Sequence, residues 1–116
     1  MRHHNVNRKF GRETNERRAF MRSLAEGLIT HGKITTTEAR AKELRSFIEK
    51  LVTKARPGTI AARALVSARL GTPARAERLF KEIAPKYKNR AGGYTRSIKL
   101  PRRKSDSSKM AVIEFV

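Results

Sequence analysis

Cysteine and tryptophan are both absent from this 116-residue chain. Without thiols there is no disulfide framework, no thiolate zinc site and no cysteine nucleophile, which suits a reducing compartment. Acidic residues are scarce, ten against 28 lysines and arginines, and the net charge is +18. Apolar runs never exceed a few residues, so no stretch reads as spanning a bilayer, and the opening Met-Arg-His-His-Asn-Val-Asn-Arg-Lys lacks the apolar centre of a signal peptide. A cytoplasmic or organellar protein is expected.

A catalytic constellation is also missing. The carboxylates are scattered along segments that carry basic partners, and none stands beside a histidine or serine in a recognisable motif. Gly92-Gly93 lacks the lysine and hydroxyl residue that complete a P-loop. His3 and His4 have only His31 as a further histidine, a poor ligand set for a metal. The chain is therefore expected to be no enzyme, with no metal, no cofactor and no small-molecule substrate.

What is present is positive charge, concentrated at two places. The stretch from Lys86 to Lys104 carries eight cations (Lys86, Lys88, Arg90, Arg96, Lys99, Arg102, Arg103, Lys104) and no acid. A solvated face normally mixes signs, so a polyanionic partner is implied. Within it Tyr94, Ile98 and Leu100 alternate with Thr95, Ser97 and Lys99, the period of a half-buried strand. Ile98 and Leu100 are expected to face the core, and Tyr94 to stack on a base or cover the strand edge. Gly92 and Gly93 lie just before the strand, where the chain must turn and another backbone can come close.

The second concentration is amino-terminal, where residues 1–22 hold seven cations against Glu13 and Glu16. Residues 1–14 read as an extended arm. Arg2, His3, His4, Arg8, Lys9 and Arg12 supply donors and planar groups for phosphates and bases, while Phe10 is the one large aromatic among them. Arg17, Arg18 and Arg22 follow in the first helix. Arg17 and Arg18 stand where the helix dipole is positive, a placement that a bound phosphate would turn from unfavourable to favourable.

Between these regions the pattern is that of one α+β domain over residues 15–116. A first helix begins near Asn15 and stops at His31-Gly32, with Phe20, Met21, Leu24 and Leu28 on one stripe. Lys33 to Thr37 forms a short edge strand, and Thr35 or Thr37 caps a second helix running to about Ala55. That helix buries Leu44, Phe47, Ile48, Leu51, Val52 and Ala55 and turns Lys42, Arg45, Glu49 and Lys50 to solvent. Glu38–Lys42 and Arg45–Glu49 have the spacing of helical ion pairs, so this face is assigned no function. Thr59 caps a third helix with Ala62, Leu65, Val66 and Leu70 inward. Gly71-Thr72-Pro73 is stop, cap and first position of a fourth, with Ala76, Leu79, Phe80 and Ile83 inward. Arg102 to Lys109 makes a polar turn, and Met110 to Val116 a last strand. The expectation is about four helices packed on a small mixed sheet of about three strands.

Met1-Arg2-His3, Arg8-Lys9-Phe10-Gly11-Arg12, Ile34-Thr35-Thr36-Thr37, Ala41-Lys42-Glu43-Leu44-Arg45, Arg90-Ala91-Gly92-Gly93-Tyr94-Thr95-Arg96 and Met110 to Val116 together resemble the bacterial large ribosomal subunit protein seventeen family. The match is collinear over nearly the whole chain, and the Gly-Gly-Tyr-Thr-Arg segment is its most specific part. It departs at His4-Asn5-Val6-Asn7, where members are more basic and carry glycine, and at Lys109, where proline is usual. The resemblance implies a structural component of the large subunit. It would bind 23S-type ribosomal RNA near the outer region of the exit tunnel, one copy per ribosome, beside other large-subunit proteins and away from membranes. The residues expected to carry RNA contact are those of the arm and first helix named above, together with Lys88, Arg90, Gly92, Gly93, Tyr94, Thr95, Arg96, Lys99, Arg102, Arg103 and Lys104. A DNA-packaging protein would instead need a dimer-forming apolar surface or a pair of β-arms. A membrane-active helix would need bulky residues opposite a lysine-rich face. Neither surplus is visible.

Overall fold

A computed structural model describes residues 14–116. The arm residues Arg2, His3, His4, Arg8, Lys9 and Arg12 lie outside the described residues. The elements run α1 (Thr14–His31), β1 (Lys33–Thr37), α2 (Glu38–Ala55), α3 (Ile60–Leu70), α4 (Pro73–Arg78), β2 (Thr95–Leu100) and β3 (Met110–Phe115). Between α4 and β2 the chain winds on through a wide π-type turn (Leu79–Ile83) and a tighter 3-10 turn (Ala84–Tyr87), so helical winding passes through Pro85 instead of ending before it.

Threonines open three of the four helices, because a hydroxyl at that position accepts one of the N–H groups left unpaired by the first turn. Thr37, Thr59 and Thr72 accept from the main-chain N–H of Arg40, Ala62 and Arg75 at 3.3, 3.1 and 3.4 Å. α3 stops at Gly71 with φ +97, a left-handed conformation that a side chain disfavours. The missing Cβ matters here for a second reason. Arg22 crosses from α1 just over Gly71, and a Cβ would sit 3.3 Å from it. Arg22 donates to the carbonyl oxygens of Arg69 and Ala68 at 3.1 and 3.2 Å, pairing free carbonyls at the end of α3 and joining α1 to it.

The sheet order is β1-β3-β2, and both pairings are antiparallel, where a mixed sheet was expected. Thr35 faces Val112, Ile98 also faces Val112, and Leu100 faces Met110. Ala111 and Ile113 of the central strand are buried, so their face is the inner one, and α2 packs on it. Leu28, Leu44, Ile48, Val52, Val66, Leu70 and Leu79 close the core above it.

That register overturns the expected orientation of β2. Ser97 and Lys99 pair with Ile113 and Ala111, which puts Thr95, Ser97 and Lys99 on the inner face. Ile98 and Leu100 lie on the outer face, 46% and 37% exposed, beside Val112 and Met110. Alternation along a strand separates two sets of residues without saying which set is buried, and a shift of one residue exchanges them. Here the core position is taken by Tyr94, 0% exposed, just before the strand begins. Leu65 on α3 is likewise outside, 40% exposed, while Val66 and Leu70 are buried. Phe20 is not in the core either; its ring lies under the Arg40 guanidinium, 4.9 Å from ring centre to carbon.

Candidate nucleic-acid interface

The basic segment is held to the body at its amino-terminal side by α2. Both carboxylate oxygens of Glu49 accept the main-chain N–H of Tyr94, at 2.8 and 3.1 Å. The Tyr94 hydroxyl meets Thr53 Oγ1 at 3.2 Å and donates to the Arg90 carbonyl at 3.2 Å, while Arg56 donates to that hydroxyl at 3.4 Å and to the Lys88 carbonyl at 3.1 Å. The Tyr94 ring packs 5.1 Å from that of Tyr87. Tyr94 is thus an anchor inside the core, and its expected stacking on a base is corrected by its burial. Thr95 is buried as well. Gly93 turns the chain into this anchor with φ +66, and a Cβ at Gly92 would meet no atom within 4 Å.

At the other end, the turn between β2 and β3 is closed by its own charges. Arg103 donates through Nε and Nη2 to the two oxygens of Asp106, at 3.0 and 2.8 Å, the bidentate fork that suits guanidinium and carboxylate. The Ser108 N–H donates to Asp106 Oδ1 at 3.1 Å, and Arg102 to the Ser107 carbonyl at 3.1 Å. The Arg103 guanidinium, followed by these Ser108 bonds, holds the Asp106 carboxyl well below the usual carboxylate range, and Asp106 in turn raises the Arg103 pKa. Arg103 therefore shapes the turn.

The remaining cations of the segment differ in freedom. Arg96 pairs with Glu114 across the sheet at 2.9 Å. Arg90 bends back to the Gly92 carbonyl at 3.1 Å. Lys99 is 3.8 Å from Glu38 with its side chain 87% exposed. Lys88 and Lys104 are exposed. The stretch presents a basic rim on a fixed frame.

Two grooves flank α2. One is lined by Thr14, Arg17, Arg18, Met21 and Arg22 of α1, Glu43, Ser46, Phe47 and Lys50 of α2, and Ala68 and Arg69 of α3. The other is lined by Thr37, Glu38, Ala39, Lys42 and Arg45 around the start of α2, Ser97 and Lys99 of β2, and Ser108 and Lys109 of the turn. The structure brings the first-helix arginines together with Lys50 and Arg69, and the hairpin with Lys42 and Arg45. The expected ion pairs Glu38–Lys42 and Arg45–Glu49 do not form, because Glu49 is taken by the Tyr94 N–H and Glu38 leans to Lys99. Among the described residues no carboxylate stands within salt-bridge distance of Lys42, Arg45, Lys50, Arg69 or Lys109. Local spacing gave no sign of this; it depends on which residues the fold sets opposite each other. No cluster of metal-ligating side chains occurs among the described residues, and none of their helices is long and apolar enough to cross a membrane.

The α+β frame, its cation-rich hairpin and its two cation-lined grooves make this a basic structural protein. The family described as Ribosomal protein L17 matches residues 20–116, and the chain belongs to it. It is similar to the large ribosomal subunit protein bL17 of Gemmatimonas aurantiaca, at 48% identity over 116 residues covering 100% of this chain and 98% of the relative. It is also similar to bL17 of Persephonella marina, at 52% identity covering 100% of this chain and 95% of the relative. With bL17 of Mycoplasmopsis pulmonis the identity is 48%, covering 97% and 98%. The family is one of structural ribosomal proteins, and the chain is not an enzyme.

Proposed function

We propose that the chain is a structural constituent of the large ribosomal subunit that binds and stabilises folded 23S-type ribosomal RNA. The observation that carries this reading is the acid-free run of eight cations from Lys86 to Lys104, held on a rigid frame by the Glu49–Tyr94 and Arg103–Asp106 contacts. Phosphate contact is sequence-independent and needs exposed cations, which Lys88, Arg90, Lys99 and Lys104 supply. Arg17, Arg18 and Arg22 and the amino-terminal arm extend the contact. The likeness to bL17 proteins of bacteria supports a cytoplasmic ribosomal location, and one copy per ribosome belongs to the same family reading. The family resemblance supports a position near the outer exit tunnel. The exposed Ile98 and Leu100 offer apolar contact to a neighbouring ribosomal protein.

The test is affinity against salt. Lys88, Arg90, Lys99 and Lys104 all replaced by Gln should lower the log–log salt slope for transcribed large-subunit ribosomal RNA by about 3, since each phosphate contact releases about 0.7–0.9 of a counterion. The melting temperature should stay close to that of the parent, because none of these side chains reaches the core. An unchanged slope refutes the hairpin as the RNA surface. Ultraviolet crosslinking in cells, followed by sequencing of the attached RNA, tests the tunnel placement.

A further inference from the structure

Helix α2 has three faces. At about 100° per residue, Ala41, Leu44, Ile48, Leu51, Val52 and Ala55 form one, and all are buried. Lys42 and Arg45 share a second with Glu38, and Ser46 and Lys50 share a third with Glu43, about a third of a turn further round. The second and third faces are walls of different grooves. One groove sets Lys50 opposite Arg17, Arg18 and Arg69; the other sets Lys42 and Arg45 opposite Lys99 and Lys109.

Among the described residues, each groove is lined by one carboxylate, Glu43 or Glu38, against at least four cations. Like charges gathered this way repel one another, and a polyanion in each groove relieves the repulsion. Ser46 in one groove, and Ser97 and Ser108 in the other, add hydroxyl groups able to donate to phosphate oxygens. The body of α2, about 10–12 Å across with its side chains, stands between them. Phosphates held in one groove are therefore kept about that far from phosphates held in the other.

We infer that α2 is a partition between two phosphodiester-binding grooves, through which the protein grips two separate segments of RNA and fixes their spacing. This rests on the RNA-binding reading above and adds to it a role for Lys42, Arg45, Lys50 and Arg69, together with a count of two segments.

The absence of cysteine provides the experiment, because a single introduced thiol is then unique. Ser46→Cys and Ser97→Cys, each carrying a tethered iron–EDTA group, place a source of hydroxyl radicals in one groove or the other of the full chain. Bound to transcribed large-subunit ribosomal RNA, the two proteins should cut two non-overlapping sets of nucleotides that lie in different helices. Lys42→Gln with Arg45→Gln should abolish the cuts made from Ser97→Cys and keep those made from Ser46→Cys. Lys50→Gln with Arg69→Gln should do the reverse, each pair lowering the salt slope by about 1.5. Cuts in one shared stretch, on the two strands of one duplex, or from one groove alone overturn the inference while leaving RNA binding intact. Loss of all cuts together with loss of binding overturns it along with the reading on which it rests.

Discussion

Glu49 and Tyr94, 45 residues apart, meet in a two-oxygen clamp: both carboxylate oxygens of Glu49 accept the Tyr94 main-chain N–H, at 2.8 and 3.1 Å. The clamp joins the middle of α2 to the first residue after the Gly-Gly turn. A loop this rich in glycine and charge has little apolar surface with which to hold itself in place. A charged hydrogen bond on one side and a buried ring on the other supply what it lacks.

Glu49→Ala leaves that N–H without an acceptor and should cost about 2 kcal/mol in urea unfolding, in line with bonds to charged groups. Glu49→Gln keeps one oxygen as acceptor and should cost about half as much. In both variants the Tyr94 amide should exchange with solvent faster than in the parent. Equal protection in all three proteins would show that the clamp contributes nothing to the loop.

Tyr94→Phe removes the hydroxyl shared by Thr53, Arg56 and the Arg90 carbonyl while keeping the ring beside Tyr87. A loss of about 1 kcal/mol of stability is expected. RNA affinity at fixed salt should hardly change, because the ring is buried. A large fall in affinity with stability unchanged would restore the ring to the RNA surface.

Much of the frame was readable residue by residue. The threonine caps, the Gly71-Thr72-Pro73 stop and start, and the apolar stripe of α2 are local signals that tertiary packing reinforced. The accumulation of charge from Lys86 to Lys104 was equally plain. What could not be read was which partner each polar group finds. Glu49 looked like a solvated mate for Arg45 and is instead a clamp for Tyr94. Arg103 looked like a phosphate ligand and folds onto Asp106 three residues away. Lys50 and Arg69 share a groove only because α3 returns beside α1 and α2.

Asp106 gives a pH prediction. Its carboxyl is held below the usual range, first by the Arg103 guanidinium and then by Ser108. A carboxyl with a lowered folded pKa contributes stability above its unfolded value, about 3.9, and that contribution is lost as pH falls through the lower folded value. The turn should therefore stay closed at pH 4, where free carboxylates are half protonated, and open only in stronger acid. Following the Asp106 side-chain carboxyl and the Ser108 amide by NMR from pH 7 to 2 should show Asp106 titrating after an ordinary carboxylate would. A midpoint near 4 would mean that the Arg103 fork is not formed in solution.

The last prediction separates the two faces of the sheet. Ile113 is fully buried on the inner face and Ile98 is nearly half exposed on the outer one, although each lies within a strand of alternating pattern. Ile113→Ala removes methyl groups from a closed core and should cost about 2–5 kcal/mol, lost transfer energy plus the cavity left behind. Ile98→Ala leaves no enclosed cavity, since water already reaches the site, and should cost about 1 kcal/mol or less. Ile98→Thr keeps the branched shape that a strand favours and should cost no more. Chemical unfolding of the three variants decides the matter. If Ile98→Ala destabilised the chain as much as Ile113→Ala, β2 would be turned the other way in solution, with Ser97 and Lys99 outward. The groove beside the start of α2 would then lose two of its lining residues.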